Sequence, residues 1–185
     1  MANRIILDGV ETLEDLIREG LDVLFVGYNP NPLAVAERHY YFRKANRFWE
    51  DLQEAGFVPR VFRGPDEDRL ILEHGVGLTD VIKRPTPTID GLSASEFRRG
   101  FERLDGLLVR YRPRVVCFNG LGILPRYERF GHPPPGTVIR AVPSTSPRNN
   151  GLRAQRLEAF KALKALVDAL KAAETSIPHD HKEER

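Results

Sequence analysis

The chain of 185 residues is poor in the residues that build redox and metal chemistry. Its single cysteine, Cys117, excludes an intramolecular disulfide and any all-cysteine zinc or iron–sulfur site. Cys117 lies in Val115-Val116-Cys117-Phe118, which reads as a buried strand, so the thiol is expected to pack as a small hydrophobe. His39, His74 and His132 lack metal-ligand spacing and read as loop or surface residues. Neither a metal nor a cofactor is expected. No apolar run approaches the roughly 18 residues a membrane-spanning helix needs. An acid arrives at Asp8, too early for the apolar region of a signal peptide. The expected setting is therefore a cytosol of bacterial type, at the nucleoid and away from membranes. No Gly-x-Gly-x-x-Gly fingerprint and no Walker-type loop follows a strand, which weighs against a nucleotide-binding protein.

Excess charge is also scarce. The formal net charge is +2. Without the two basic and four acidic residues of the tail from Glu174 to Arg185, the body carries 26 basic and 22 acidic residues, near +4. That balance permits nucleic-acid binding without demanding it. The basic residues are mostly arginine, suited to two-pronged phosphate contacts.

What the chain does have is a regular alternation. Thr12 and Asp15 read as the start of a helix carrying Leu13, Leu16 and Ile17 and stopped by Gly20. Val23-Leu24-Phe25-Val26 reads as a strand buried on both faces, which favours a parallel sheet. Residues 27 to 42 read as a loop with an aromatic cluster, Asn46 to Ala55 as a helix closed by Gly56, and Val76 to Ile82 as a short extended piece. Ser93 and Glu96 form a capping box ahead of Phe97, Phe101, Leu104 and Leu108 on one helical face. Arg114–Phe118 and Thr137–Val142 read as further strands, with a helix possible in Gly120–Phe130. Leu157, Phe160, Leu163, Leu166, Val167 and Leu170 mark a long amphipathic C-terminal helix. The expectation is an α/β fold: a three-layer α/β/α sandwich around a short, mainly parallel sheet. It forms one domain over residues 1–173, followed by a frayed or disordered polar tail, 174–185. Sites in such sheets form beyond the carboxyl ends of strands. Two polar loops leave strands in that way, Gly27-Tyr28-Asn29-Pro30 and Pro143-Ser144-Thr145-Ser146-Pro147-Arg148, and both should face one cleft.

These segments resemble the mismatch-specific uracil/thymine-DNA glycosylases of the uracil-DNA glycosylase superfamily. Gly27-Tyr28-Asn29-Pro30-Asn31 is similar to the family's Gly-Ile-Asn-Pro-Gly motif. Asn46-Arg47-Phe48-Trp49, then Gly77-Leu78-Thr79 with Arg84-Pro85-Thr86, and finally Pro143 to Arg148 match later motifs in order. Tyr28 stands where isoleucine is usual and Asn31 where glycine is usual, and Pro147 departs from the family's wedge.

The resemblance implies an enzyme that flips uracil, or a mismatched or modified pyrimidine, from double-stranded DNA and hydrolyses its N-glycosidic bond. The sugar becomes oxocarbenium-like as the base leaves, so the enzyme must place a water and stabilise the departing anion. Asn29 would orient the water through its amide oxygen. Asp80, near a strand end, is the reserve candidate for activating it. Tyr41 would stack on the flipped base, with Tyr28 and Pro30 at its edge. Ser144 would hold a phosphate, and Ser146, Pro147 and Arg148 would fill the hole in the stack. With no lysine in either motif, a monofunctional, monomeric enzyme leaving an abasic site is expected. Tyr28 keeps a deaminated purine such as hypoxanthine or xanthine open as substrate. A non-catalytic nucleic-acid-binding domain is the other alternative.

Overall fold

The computed structural model describes residues 4–175. An antiparallel hairpin, β1 (Arg4–Leu7) and β2 (Val10–Leu13), turns at Asp8 and Gly9, both at positive φ. The main sheet follows. It comprises β3 (Val23–Gly27), β4 (Val76–Asp80), β5 (Val115–Asn119) and β6 (Val138–Val142), all parallel, in the order β4-β3-β5-β6. The helices are α1 (Pro32–Glu37), α2 (Phe48–Glu54), α3 (Pro65–Asp68), α4 (Ala94–Tyr111), α5 (Leu124–Phe130) and α6 (Arg153–Thr175).

Strand alternation explains the layers. Val23, Phe25, Val115 and Cys117 face one way and pack with residues of α1, α2 and α6. Leu24, Val26, Val116 and Phe118 face the other way, toward α4 and α5. The three-layer α/β/α fold is therefore as expected. Phe25 anchors the first layer, edge-on to Phe48 at 5.4 Å and stacked on Phe160 at 5.5 Å. Each such aromatic pair contributes about 0.5–1.5 kcal/mol beyond its buried area. The capping box at Ser93 starts α4, and Phe97, Phe101, Leu104 and Leu108 are buried along it.

The chain moves from β3 to β4 on one side, then returns to β5 on the other. The crevice beyond the carboxyl ends of β3 and β5 is thus the sheet's topological switch point, where ligands bind in open α/β sheets.

Three local expectations need correction. Residues 12–20 are not a helix. Leu16 exchanges backbone hydrogen bonds with Leu78 (2.9 and 2.8 Å), and the Thr12 hydroxyl donates to the Lys83 carbonyl, so pairing to β4 overrides the helical spacing. The loop 27–42 contains α1, capped by the Asn31 side chain on Leu33 N (3.0 Å) with Pro32 in its first turn. The last helix runs through Thr175, past the expected start of the tail, with Glu174 ion-paired to Arg114. The rest of that tail, 176–185, lies outside the described residues. Among the described residues no helix is long and apolar enough to cross a membrane.

Candidate active site

A cavity of about 450 Å³ opens at the switch point, lined by both polar loops, by the aromatic segment after α1 and by the ends of β4 and β5. That volume lies in the range of about 300–1,000 Å³ usual for small-molecule pockets.

Asn29 stands two residues past β3 and lines the cavity. Its amide nitrogen donates to Arg84 O (2.9 Å) and Thr86 Oγ1 (2.7 Å), and Thr86 Oγ1 donates onward to Thr88 O (2.6 Å). A backbone carbonyl only accepts, so this bond fixes which end of the amide is nitrogen and leaves Oδ1 as the end that can hold a water. Thr86 N also donates to Pro30 O (3.2 Å), which ties the Arg84-Pro85-Thr86 loop to the first motif.

Asp80 ends β4, in register with Gly27 of β3, and is 4% exposed. A side chain at Gly27 would collide with Asp80 Oδ1, so only glycine lets the carboxylate lie across the end of β3. Asp80 Oδ2 is buried without a hydrogen-bond partner among the described residues. The nearest cations are engaged elsewhere: Lys83 Nζ and Arg103 Nη1 both bind Asp15, at 2.8 and 2.6 Å. Burial pushes the Asp80 pKa up to about 6, aided by the Asp15 carboxylate and opposed by Lys83 and Arg103. Burial also acts on Asp15, yet Lys83 and Arg103 hold it below its ordinary value.

Tyr41 adopts a left-handed backbone (φ 60°) and stacks on Phe48 at 3.9 Å and 23°. Its ring lines the cavity, while its hydroxyl is buried beside Asp80 and Asn119. Burial first, and the Asp80 charge second, push its phenol pKa well up. The strained residue is held by its neighbours. Trp49 Nε1 donates to Tyr40 O (2.8 Å), and Tyr40 N donates to Asp68 Oδ2 (2.7 Å). His39 binds the other Asp68 oxygen and stacks on Trp49 at 5.4 Å and 9°. His39 thus lies in a loop, as its sequence context suggests, but is buried and not at the surface. These bonds give the Asn46-to-Trp49 segment its structural purpose.

Tyr28 sends its ring to the other face of the sheet. It lies edge-on to Phe97 at 6.2 Å and occupies the space where side chains at Gly120 and Gly122 would stand. On the far wall, Asn119 at the end of β5 locks the second loop: its Nδ2 donates to Thr145 Oγ1 (2.9 Å) and its Oδ1 accepts from Thr145 N (3.0 Å). Ser144 Oγ accepts from Ser146 N (3.2 Å), and Arg47 N donates to Thr145 O (3.2 Å), joining the Asn46-to-Trp49 segment to this loop. Ser146, Pro147 and the exposed Arg148 continue the rim into a 3₁₀ turn, Pro147–Leu152. All the residues picked out from sequence therefore line one cavity: Tyr28, Asn29, Pro30, Tyr41, Asp80, Ser144, Ser146, Pro147 and Arg148. Asn119 and Thr86 were missed. Asn119 is a polar residue at a buried strand's carboxyl end, the same signal that picked out the first loop. Thr86 was seen only as part of a motif, without the hydrogen bond that gives it a role.

Among the described residues Asp80 is the only acid lining the cavity, at its floor, while Arg43 and Arg148 stand at the mouth. No lysine lines it. Among the described residues no group of His, Cys, Asp and Glu could hold a metal ion.

The family model of the uracil DNA glycosylase superfamily matches residues 14–171. A solution NMR structure of a proposed uracil DNA glycosylase from Methanosarcina acetivorans is similar in fold, with a TM-score of 0.61 at 20% identity, covering 85% of this chain and 97% of the other.

Proposed function

Because the chain belongs to the uracil DNA glycosylase superfamily, we propose that it is a monofunctional DNA glycosylase that extrudes uracil, or a mismatched or modified pyrimidine, from duplex DNA and hydrolyses its N-glycosidic bond. The carrying observation is the Asn29 amide. Its nitrogen is committed to Arg84 O and Thr86 Oγ1, so Oδ1 is preset to hold the attacking water beneath the sugar. Preset acceptors need no reorganisation when charge develops at the sugar carbon. The free face of the Tyr41 ring, backed by Phe48, receives the base, and such stacking contributes about 1–3 kcal/mol per base. Arg148 and its neighbours replace the base in the stack, where flipping costs least at a mismatch. The absence of lysine from the lining among the described residues supports hydrolysis without a Schiff base and without strand cleavage.

Asp80 supports a second reading of one step. A carboxylate with an orphaned oxygen and a pKa near 6 suits a group that takes the proton of the Asn29-held water as the glycosidic bond breaks. Base release from duplexes bearing uracil, thymine opposite guanine, hypoxanthine, xanthine and ethenocytosine tests the function and its substrate together. Release of uracil with an intact strand is expected, and no release from any duplex contradicts the reading.

A further inference from the structure

Seven large apolar side chains are exposed among the described residues, and four of them line the cavity: Phe42, Ile89, Leu121 and Leu152. Leu121 differs from the other three in its support. It is 57% exposed at the tip of a turn flanked by Gly120 and Gly122. Gly120 has φ 141°, its N–H donates to Val142 O (3.0 Å), and its carbonyl accepts from Ile123 N (3.0 Å). The Arg126 guanidinium donates to Gly122 O. The Tyr28 ring fills the place of both missing side chains, standing 2.8 Å from where a Cβ at Gly120 would lie. The unusual tyrosine of the first motif and the two glycines are therefore one fitted unit, and that unit holds a leucine out into water beside the site.

We propose that Leu121 is a second wedge, apolar where the first ends in Arg148, braced by Tyr28, which presses against the stacked bases next to the extruded nucleotide on the side of the cavity away from the Asn46-to-Trp49 segment. The occupant is duplex DNA, because charge and polarity fit it: arginines at the mouth meet phosphates, while the apolar tip meets base faces. A rigid turn suits a wedge, since little conformational freedom is lost when it inserts. Tyr28 then contributes to the reaction through the duplex, by bracing the turn that carries Leu121.

The inference rests on the glycosylase reading, and its test separates the two. The full-length wild type, Leu121→Ala and Leu121→Phe are compared on a duplex with a tetrahydrofuran abasic analogue beside 2-aminopurine, and on the same single strand. This assay needs no base release. Leu121→Ala is expected to bind the duplex about tenfold more weakly, from loss of a leucine's buried area. It should also lose the rise in 2-aminopurine fluorescence that reports unstacking, while Leu121→Phe keeps it and thermal melting of both variants matches wild type. Equal duplex affinity and equal fluorescence in wild type and Leu121→Ala would overturn the proposal, as would an equal loss on single strand and duplex. A wild type that gives the fluorescence rise but releases no base would sink the glycosylase reading and leave the wedge standing.

Discussion

Two aspartates are buried to nearly the same depth and treated in opposite ways. Asp51, 0% exposed, sits on α2 and binds Arg156 of α6, itself 0% exposed. Each keeps one buried oxygen without a hydrogen-bond partner among the described residues, but Asp80, 4% exposed at the end of β4, has no ion pair to match that of Asp51, although Lys83 and Arg103 lie close enough to influence its charge. Those two cations bind Asp15 instead. A buried, poorly satisfied carboxylate is costly, so folds rarely keep one without use. The difference separates an acid that joins two helices from an acid held ready for something that enters the cavity.

Breaking the paired member should have the largest effect. Arg156→Ala strands the Asp51 carboxylate and should lower stability by about 3–5 kcal/mol, read as a fall in the urea midpoint. A loss under about 1 kcal/mol would make the pair equivalent to a surface salt bridge.

Changing Asp80 should act with the opposite sign. Its folded pKa, near 6, exceeds the ordinary 3.8, so the native state holds the proton more tightly. The stability this lends is fully present below pH 3.8 and is lost as pH rises through 6. Asp80→Asn should therefore stabilise the protein on the order of 2 kcal/mol at pH 7.5, with the gain vanishing in acid. Chemical denaturation at both pH values measures it, and a destabilised Asn variant at pH 7.5 would show that the carboxylate is satisfied after all.

The smallest effect sharpens the role of Asp80. If its carboxylate accepts the water's proton, kcat/KM falls about tenfold per pH unit below its pKa near 6, and the limb disappears in Asp80→Asn. An unchanged limb in that variant would leave the water to Asn29 alone.

Much of this is legible in the sequence. The buried runs at Val23–Val26 and Val115–Phe118 named the central strands because strands covered on both faces need apolar residues throughout. The rule of strand carboxyl ends then placed the two loops at one cleft. Residues 12–20 were misread because their apolar spacing fits a helix, and only the distant partner Leu78 decides otherwise. The same limit hid the clamp on Tyr41: Asp68 lies 28 positions from Tyr40, and no local pattern links them. Tyr28 was visible as a departure from its motif. Its meaning depended on Gly120 and Gly122, which approach it only in the folded sheet.

The central claim concerns Asn29, and single-turnover release of uracil from a guanine-paired duplex tests it most directly. Wild type should leave an intact strand with an alkali-labile abasic site, and Asn29→Ala should be slower by about a hundredfold or more at an unchanged melting temperature. Equal rates in the two proteins, or no release by wild type, would contradict the account.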